Sequence, residues 1–286
     1  MAEPLRKLPD FFIVGAPKCG TTSLARYLAE HPRVYITNVK EPSYFARSMV
    51  TEWEAKRSAA YQLDLDSYLQ LFQPATDEQT RRGEATTRYL RSETALREIK
   101  TLCPDARLIV MLRDPVAMVE SWHAQKLWER QETEPVFESA WRLEESRRRG
   151  DDLPRRLKAT DALFYSQIAR LGTQVERLLQ IFPQEQVRLI LLDDLVRDAR
   201  RVYQDTLQFL GIPDDGRTNF AVHNPRRRLI ANRVLSALHL ASPRMPTGNT
   251  SPAFAIELRR SFAPEVAKLE RILGRDLSAW KDPVQS

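Results

Sequence analysis

The sequence has few of the features that define several common classes of protein. It contains only two cysteines, Cys19 and Cys103, and therefore no disulfide framework. No apolar run approaches the roughly 18 residues of a membrane span. The first ten residues, MAEPLRKLPD, lack the apolar stretch of a signal peptide. We therefore expect a cytoplasmic protein without a membrane span.

Composition and charge narrow the remaining classes. With 42% hydrophobic and 29% charged residues, the chain is neither disordered nor membranous. Its 286 residues suffice for one large α/β domain. The net charge of +6 suits a polyanionic ligand, and it suits nucleic acid equally well. Because no zinc-finger spacing, RNP-like signature or interleaved basic and aromatic run is present, we expect no nucleic-acid partner.

The segment Phe11–Leu28, FFIVGAPKCGTTSLARYL, carries the strongest signal in the chain. Four apolar residues predict a short buried strand, and a tight loop, Gly15–Gly20, follows it. Leu24 and Leu28 are four residues apart, which is helical spacing. The N–H groups of such a loop, together with the positive end of the helix dipole, predict a phosphate-binding site.

The spacing of this loop resembles a Walker A motif, Gly-x4-Gly-Lys-Thr, with one departure. Thr21 follows the second glycine, and the lysine lies earlier in the loop, at Lys18. A lysine there still neutralises charge on a leaving phosphate. The alternative is a chance turn with an exposed lysine, but the preceding strand and following helix supply the context that the motif requires. We interpret Cys19 as a small-residue filler, since no nearby histidine would activate its thiol.

A second apolar run, Arg107–Leu112, predicts a parallel strand that is buried on both faces. Asp114 and Pro115 then form a typical N-cap and first helical residue. Ser121 lies about two turns beyond the cap, so Arg113 and Ser121 can bind one anion, and a guanidinium with a hydroxyl suits a terminal phosphate. The alternative is that Arg113 pairs with Asp114 and Ser121 is an ordinary helix serine.

This strand also argues against an NTPase, because a Walker B strand ends in an acidic magnesium ligand and this one ends in arginine. The run Val187–Leu192 does end in two aspartates, Asp193 and Asp194. We interpret them as caps of a following helix, since aspartate is a favoured N-cap. Apolar periodicity predicts that helix and two more, over Leu195–Leu210, Phe164–Phe182 and Ile256–Leu273.

A short strand over Val34–Ile36 is followed by Lys40-Glu41-Pro42. Ligands of open parallel sheets bind at the carboxyl ends of the strands. Glu41 is thus a candidate general base. The alternative is a solvated surface glutamate paired with Lys40, the usual situation of a glutamate.

These motifs together resemble the sulfotransferases that use 3′-phosphoadenosine 5′-phosphosulfate (PAPS), in their glycan-type and bacterial branch. The resemblance rests on GAPKCGTTSL, on Lys-Glu-Pro followed by aromatics, and on Arg-Asp-Pro with a serine at this spacing. It extends to the tail around Trp280. It implies one sulfotransferase domain over residues 1–286, with a P-loop NTPase-like α/β fold and a central, mostly parallel sheet covered by helices on both faces.

The resemblance also implies the roles of the site residues. Glu41 would take the proton from an acceptor hydroxyl or amine, and Lys18 would stabilise the departing phosphate oxygen. Arg113 and Ser121 would bind the 3′-phosphate. The 5′-phosphate would be held by Lys18, Cys19, Gly20, Thr21, Thr22 and Ser23. A basic loop matching Arg226–Arg228 covers the 3′-phosphate and adenine in relatives, and we favour Arg227 and Arg228 for that contact. The implied product is adenosine 3′,5′-bisphosphate (PAP), and the scheme needs no metal.

The segment Gly83–Leu90, GEATTRYL, departs from the family pattern. Some relatives have a catalytic lysine where this chain has Ala85. The departure leaves Lys18 as the main cation near the leaving oxygen, or leaves Arg88 to assist it. The acceptor stays open between a small molecule, a lipid and a glycan, and the oligomeric state is open as well. Two rivals remain: a P-loop-like kinase that binds magnesium-ATP, and a non-catalytic nucleotide-binding member.

Overall fold

The computed structural model describes residues 7–49, 63–155, 157, 159–221 and 250–281. Its centre is a five-stranded sheet in the order β2-β3-β1-β4-β5, in which every pairing is parallel. The strands are β1 Phe11–Gly15, β2 Val34–Ile36, β3 Arg81–Ala85, β4 Arg107–Leu112 and β5 Val187–Leu191.

Strand β1 is buried along its whole length, and so is β4 after its first residue. Such continuous apolar runs are typical of parallel strands that are covered on both faces. Strand β3 differs, because its sequence is RRGEA. It pairs with β1 through Gly83 opposite Phe11, and a Cβ atom on Gly83 would lie 2.3 Å from the Phe11 ring. Only glycine fits beneath that ring.

The helices and short 3-10 turns connect the strands. The α-helices are α1 Thr21–Ala29, α2 Leu65–Gln70, α3 Ala95–Leu102, α4 Pro115–Trp128, α5 Phe137–Arg142, α6 Glu144–Arg148, α7 Tyr165–Ile168, α8 Leu171–Ile181, α9 Leu192–Arg197, α10 Ala199–Leu210 and α11 Pro252–Leu273. The 3-10 turns are Tyr44–Met49, Thr160–Leu163, Gln184–Gln186 and Ser278–Trp280. Within the described ranges, no helix combines the length and the apolar character needed to cross a membrane.

The order of the strands decides which face each helix covers. Crossovers between parallel strands are right-handed. The connection from β1 to β2 runs toward one edge of the sheet and the connection from β3 to β4 toward the other, so α1 and α3 cover opposite faces. Helix α1 contacts α10, and α3 contacts the 3-10 turn Tyr44–Met49. The predicted α/β fold, with a parallel sheet and helices on both faces, is confirmed.

The described residues form two compact units. The first contains residues 7–113 and 174–221 and includes the whole sheet. The second contains residues 114–173 and those from 250 on, and in it α4 packs on α7 and α11. Its core holds a buried ion pair: Arg147 donates to both carboxylate oxygens of Glu132 at 2.7 and 2.8 Å, and the Tyr165 hydroxyl donates to the same group.

The structure corrects the helix predicted over Phe164–Phe182, which is divided into α7 and α8. The start of α8 is fixed by Glu265, whose carboxylate accepts hydrogen bonds from the N–H and the hydroxyl of Thr173 at 2.7 and 2.8 Å. The free N–H groups of a first helical turn need such acceptors. A tertiary contact therefore sets the start of α8, and the spacing of apolar residues does not predict it.

The helix predicted over Leu195–Leu210 is also divided, at Asp198. This residue caps α10 by accepting from the Arg201 N–H at 2.9 Å. Strand β5 passes directly into α9, whose cap position is Leu191, so Asp193 and Asp194 lie inside its first turn. The prediction that they serve as N-caps is wrong. Acidic side chains in a first turn still interact favourably with the helix dipole.

Candidate active site

The loop between β1 and α1 has the geometry of an anion site. Gly20 occupies the N-cap position of α1 with φ +87°, a conformation that favours glycine. A Cβ atom there would lie 2.8 Å from Leu192 Cδ1. The cap carries no side chain, and the first turn of α1 contains no acidic residue. The first turn thus brings no negative charge to the positive end of the helix dipole, which suits an anionic ligand.

Two of the predicted cationic residues meet at this loop. Lys18 is half-buried, and its backbone has φ +64°. Its carbonyl oxygen accepts a hydrogen bond from Arg113 Nη1 at 3.3 Å. Arg113 directly follows β4, the neighbour of β1 in the sheet. The structure therefore brings the guanidinium to the loop across the point where the strand order reverses, which is where open α/β sheets bind ligands.

Cys19 contributes packing from inside the loop. Its side chain is fully buried, and Sγ donates to the Pro17 carbonyl oxygen at 3.4 Å. Burial raises the pKa of the thiol to about 12. The thiol therefore stays protonated at neutral pH, and any contact of Cys19 with a ligand would come from its backbone.

The first turn of α1 is joined to the loop that follows β2. Thr21 and Ser23 are buried and Thr22 is half-buried. The Thr22 hydroxyl accepts a hydrogen bond from Lys40 Nζ at 2.7 Å. Lys40 directly precedes Glu41, the candidate base. The hydrogen bond therefore ties the segment with Lys40 and Glu41 to the first turn of α1, next to the loop Gly15–Gly20, which we call the phosphate loop.

Glu41 is half-buried, and both of its carboxylate oxygens lie 3.3 Å from the donating hydroxyl of Thr87, just beyond β3. Its backbone has φ +57°. Glu41 and Lys18, the two predicted catalytic residues, thus both occupy the left-handed region that non-glycine residues rarely adopt. Such strain costs on the order of 1–3 kcal/mol per residue and clusters at functional sites. Ser43, Arg130 and Asp152 share this conformation, so the two catalytic assignments stay predictions.

Glu84, a fully buried carboxyl on β3, is not among the residues predicted from the sequence. Its Oε1 accepts from the Tyr68 hydroxyl at 2.6 Å and from the Tyr89 hydroxyl at 2.9 Å. Its Oε2 accepts from Thr86 at 2.7 Å. Burial raises the pKa of Glu84 to about 7 although these hydroxyls lower it, and the negative charge of Glu41 adds to the rise.

Glu84 supports the turn that carries Glu41. The Thr86 hydroxyl, which donates to Glu84, also accepts from the Ser43 N–H at 3.4 Å. The Ser43 hydroxyl in turn donates to the Glu41 carbonyl oxygen at 3.1 Å. The only signal for this in the sequence is an acidic residue next to a glycine, and that pattern identifies neither the strand nor the three partners of Glu84.

The remaining predicted residues are Ser121, Arg227 and Arg228. Ser121 is half-buried on α4, in the second unit. The predicted helix start is confirmed, since the Asp114 carboxylate accepts from the Val116 N–H at 3.0 Å. That Arg113 and Ser121 bind one phosphate stays a prediction. Arg227 and Arg228 lie outside the described residues. Within the described part of the chain, no group of three or more His, Cys, Asp or Glu side chains is arranged to hold a metal ion.

The loop and the residues around it indicate the class of protein to which this chain belongs. A strand, a glycine-bounded loop and a helix N-terminus are arranged as in a P-loop-type anion site, and a carboxylate lies on the loop after the next strand of the chain. A family model described as "Sulfotransferase family" matches residues 9–216. The chain therefore belongs to the sulfotransferase family, a family of transferases, and the resemblance seen in the sequence is confirmed.

Individual relatives agree with this assignment. The chain is 25% identical to the human bifunctional heparan sulfate N-deacetylase/N-sulfotransferase 3 over 282 residues, which is 96% of this chain and 31% of that protein. It is 32% identical to the rat carbohydrate sulfotransferase 15 over 151 residues, which is 41% of this chain and 27% of that protein. It thus spans less than a third of the length of these curated relatives.

A solved structure also matches along the chain. The crystal structure of a sulfotransferase from Alicyclobacillus acidocaldarius superimposes with a TM-score of 0.77 at 30% sequence identity. The match covers 96% of this chain and 100% of that one. The fold is therefore that of a sulfotransferase.

Proposed function

We propose that this chain transfers a sulfuryl group from PAPS to a hydroxyl or amine of an acceptor. The observation that carries the proposal is the hydrogen bond from Lys40 to Thr22, which joins the segment with Glu41 to the first turn of the phosphate loop helix. An anion site and a proton acceptor thereby share one edge of the sheet. Direct transfer from a bound donor requires that arrangement.

The donor would lie with its 5′-phosphosulfate on the loop. Backbone N–H groups from Gly20 to Ser23 and the positive end of α1 would hold the phosphate. Arg113 and Ser121 would select the donor by its 3′-phosphate, because a guanidinium fork and a hydroxyl suit a terminal phosphate. Arg227 and Arg228 are proposed to add contacts to that phosphate and to the adenine.

The reaction would be a single in-line displacement. The acceptor oxygen or nitrogen attacks sulfur and forms the new bond, while the bond from sulfur to the 5′-phosphate oxygen breaks. The acceptor proton passes to the Glu41 carboxylate. The electron pair of the broken bond stays on the phosphate oxygen, where Lys18 neutralises it. The products are the sulfated acceptor and PAP, and no step needs a metal.

The relatives suggest where to look for the acceptor. Two carry carbohydrate or heparan sulfate in their names. We therefore propose a glycan acceptor, with lipid and small-molecule hydroxyls as alternatives, because acceptor loops vary independently of the fold.

The test measures nucleotide preference and product together. Calorimetry would compare PAP with magnesium-ATP, and labelled PAPS would then be offered with a panel of glycans, lipids and phenols. We expect PAP to bind at least about tenfold more tightly than ATP, a difference of about 1.4 kcal/mol, and label to appear in an acceptor. A preference for ATP, or no binding of PAP, would overturn the proposal.

A further inference from the structure

Lys40 lies in an unusual position for a lysine. Its ammonium donates to Thr22, the second residue of α1, and it therefore sits at the positive end of a helix dipole. Cations are favoured at the opposite end, where α1 carries Arg26. The first turn of α1 offers no acidic residue to balance the charge. An exposed lysine is able to turn into solvent, so its contact at this helix end points to a role in binding an anion.

The other cations strengthen this reading. The carbonyl oxygen of Lys18 holds Arg113 at the same loop. Lys40 thus contacts the first turn of α1, and Arg113 contacts the backbone of the preceding loop at Lys18. Like charges that face one binding site repel one another. A multiply charged anion that lies among them attracts all of them and offsets that repulsion.

We propose that Lys40 is a second cationic contact of the donor's 5′-phosphosulfate, oriented by its hydrogen bond to the Thr22 hydroxyl. The inference rests on the proposed function. An ammonium group has three donors and no acceptor. One of them is used on Thr22, and the others can turn toward phosphate or sulfate oxygens. Lys40 then acts beside Lys18 on the charge that grows on the 5′-phosphate as the bond to sulfur breaks.

The sheet explains why a lysine at position 40 can act in place of one at position 85. Strands β2 and β3 are neighbours, with Ile36 opposite Gly83, so Lys40 and Ala85 both follow paired residues near the same carboxyl edge. Ala85 also pairs with Ile13, the central residue of β1, two residues before the loop that starts at Gly15. Lys40 and Ala85 therefore both lie toward the end of the sheet that carries the loop.

Arg88 is the other cation that the sequence offered. Its Nη1 donates to the Met49 carbonyl oxygen at 3.4 Å, at the end of the 3-10 turn Tyr44–Met49. This contact directs the guanidinium to the turn after the Glu41 segment, whereas the contact of Lys40 is with α1 itself. Lys40 is therefore the better candidate for the second cation.

The first experiment compares Lys40→Met with Arg33→Met, using PAP calorimetry at several salt concentrations and steady-state transfer from PAPS. Both variants lose one charge from exposed residues around β2, but Arg33 precedes the strand, at the edge of the sheet away from the loop. We expect Lys40→Met to weaken PAP binding about tenfold, to lower kcat as well, and to reduce the salt dependence of binding. Arg33→Met should behave as the wild type does.

The second experiment asks whether Lys40 acts through its positive charge or only through its hydrogen bond to Thr22. Lys40→Arg keeps the charge, and Ala85→Lys in the Lys40→Met background restores a cation from the neighbouring strand. Ala85 is half-buried at the last position of β3. We expect either change to recover most of the lost PAP affinity and its salt dependence.

The outcomes separate this inference from the proposed function. If wild-type protein ignores PAP, the proposed function itself fails. If wild-type protein binds PAP and Lys40→Met binds it equally well with unchanged kcat, Lys40 has no role at the donor. Equal losses of PAP affinity in Lys40→Met and Arg33→Met would show that the effect comes from net charge alone, which would overturn the inference. A loss that neither Lys40→Arg nor Ala85→Lys recovers would make Lys40 only a structural tie, which also overturns the inference.

Discussion

At the scale of single residues, three positions around the candidate site have a left-handed backbone conformation, which also occurs at Arg130 and Asp152. Lys18, Glu41 and Ser43 all have φ between +57° and +64°. The hydrogen bonds from Ser43 to the Glu41 carbonyl and from Thr87 to the Glu41 carboxylate offset that strain locally. The turn is thus held in the conformation that directs the carboxylate to Thr87.

Glu41→Gln tests the role of the proposed base. Glutamine keeps the size and can still accept from Thr87, but it cannot take a proton from the acceptor. General bases contribute about 10²–10⁴ to the rate, so we expect kcat to fall by about that factor while PAP affinity stays unchanged. Steady-state transfer and calorimetry measure the two effects, and Glu185→Gln, an exposed residue of the turn before β5, serves as the control. Full turnover by Glu41→Gln would exclude Glu41 as the base.

At the scale of elements, the site is assembled from the ends of neighbouring strands. The phosphate loop follows β1, the segment with Lys40 and Glu41 follows β2, Thr87 follows β3, and Arg113 follows β4. All four strands are parallel, so these ends share one edge of the sheet. The parallel sheet therefore collects at one edge residues that lie up to 95 positions apart in sequence.

Gly20→Ala tests how strictly the loop and α1 require a glycine. Gly150→Ala is the matched control, because Gly150 has φ +93° and nothing lies within 4 Å of a Cβ atom there. A left-handed conformation costs an alanine roughly 1–2 kcal/mol, and that should be the whole loss for Gly150→Ala. Gly20→Ala adds contacts of 2.8 Å with Leu192 and 3.3 Å with Met111, so its free energy of unfolding should fall further. Urea denaturation measures both, and equal losses would show that the packing at Gly20 does not matter.

At the scale of the whole molecule, buried charge makes stability depend on pH. Burial raises the pKa of Glu84 to about 7 and that of Asp10 to about 6. A carboxyl whose pKa is raised on folding binds its proton more tightly in the folded state. Its contribution is therefore favourable at low pH and is lost as pH rises toward the folded pKa.

We predict that Glu84 lowers the free energy of unfolding between its ordinary pKa of 4.5 and about pH 7. The loss should be on the order of 3 kcal/mol, because each tenfold gain in proton affinity on folding corresponds to about 1.4 kcal/mol. Glu84→Gln should remove that slope, and urea denaturation from pH 4 to pH 8 measures it. Asp10→Asn is the control. It should remove only the loss of stability that Asp10 causes, which ends near pH 6.

His123 works in the opposite direction, since burial lowers its pKa. Its contribution to stability therefore grows as pH rises toward the ordinary pKa of 6.5. The wild type and the Glu84→Gln variant both contain His123. Its contribution therefore cancels when the two profiles of unfolding free energy against pH are subtracted. A difference profile that is flat from pH 4 to pH 8 would contradict the prediction for Glu84.

Patterns of neighbouring residues predicted several elements of the fold and of the candidate site. The apolar runs of β1, β4 and β5 predicted buried parallel strands, and the phosphate loop, the cap at Asp114 and the position of Glu41 were found from residue types at short spacing. Strand β3 was not predicted, because RRGEA has no apolar run. Its pairing depends on Gly83 fitting under Phe11, a residue 72 positions earlier in the chain.

The sequence by itself determined the glycine-bounded loop after β1 and the strands β1, β4 and β5, because these features depend on neighbouring residues, and its motifs identified the family. The tertiary structure alone decided that Lys40 meets Thr22 and that Glu84 is buried under three hydroxyls. These contacts join residues from different strands and helices. Their energies arise only when folding removes water and brings separate elements together, so no local pattern encodes them.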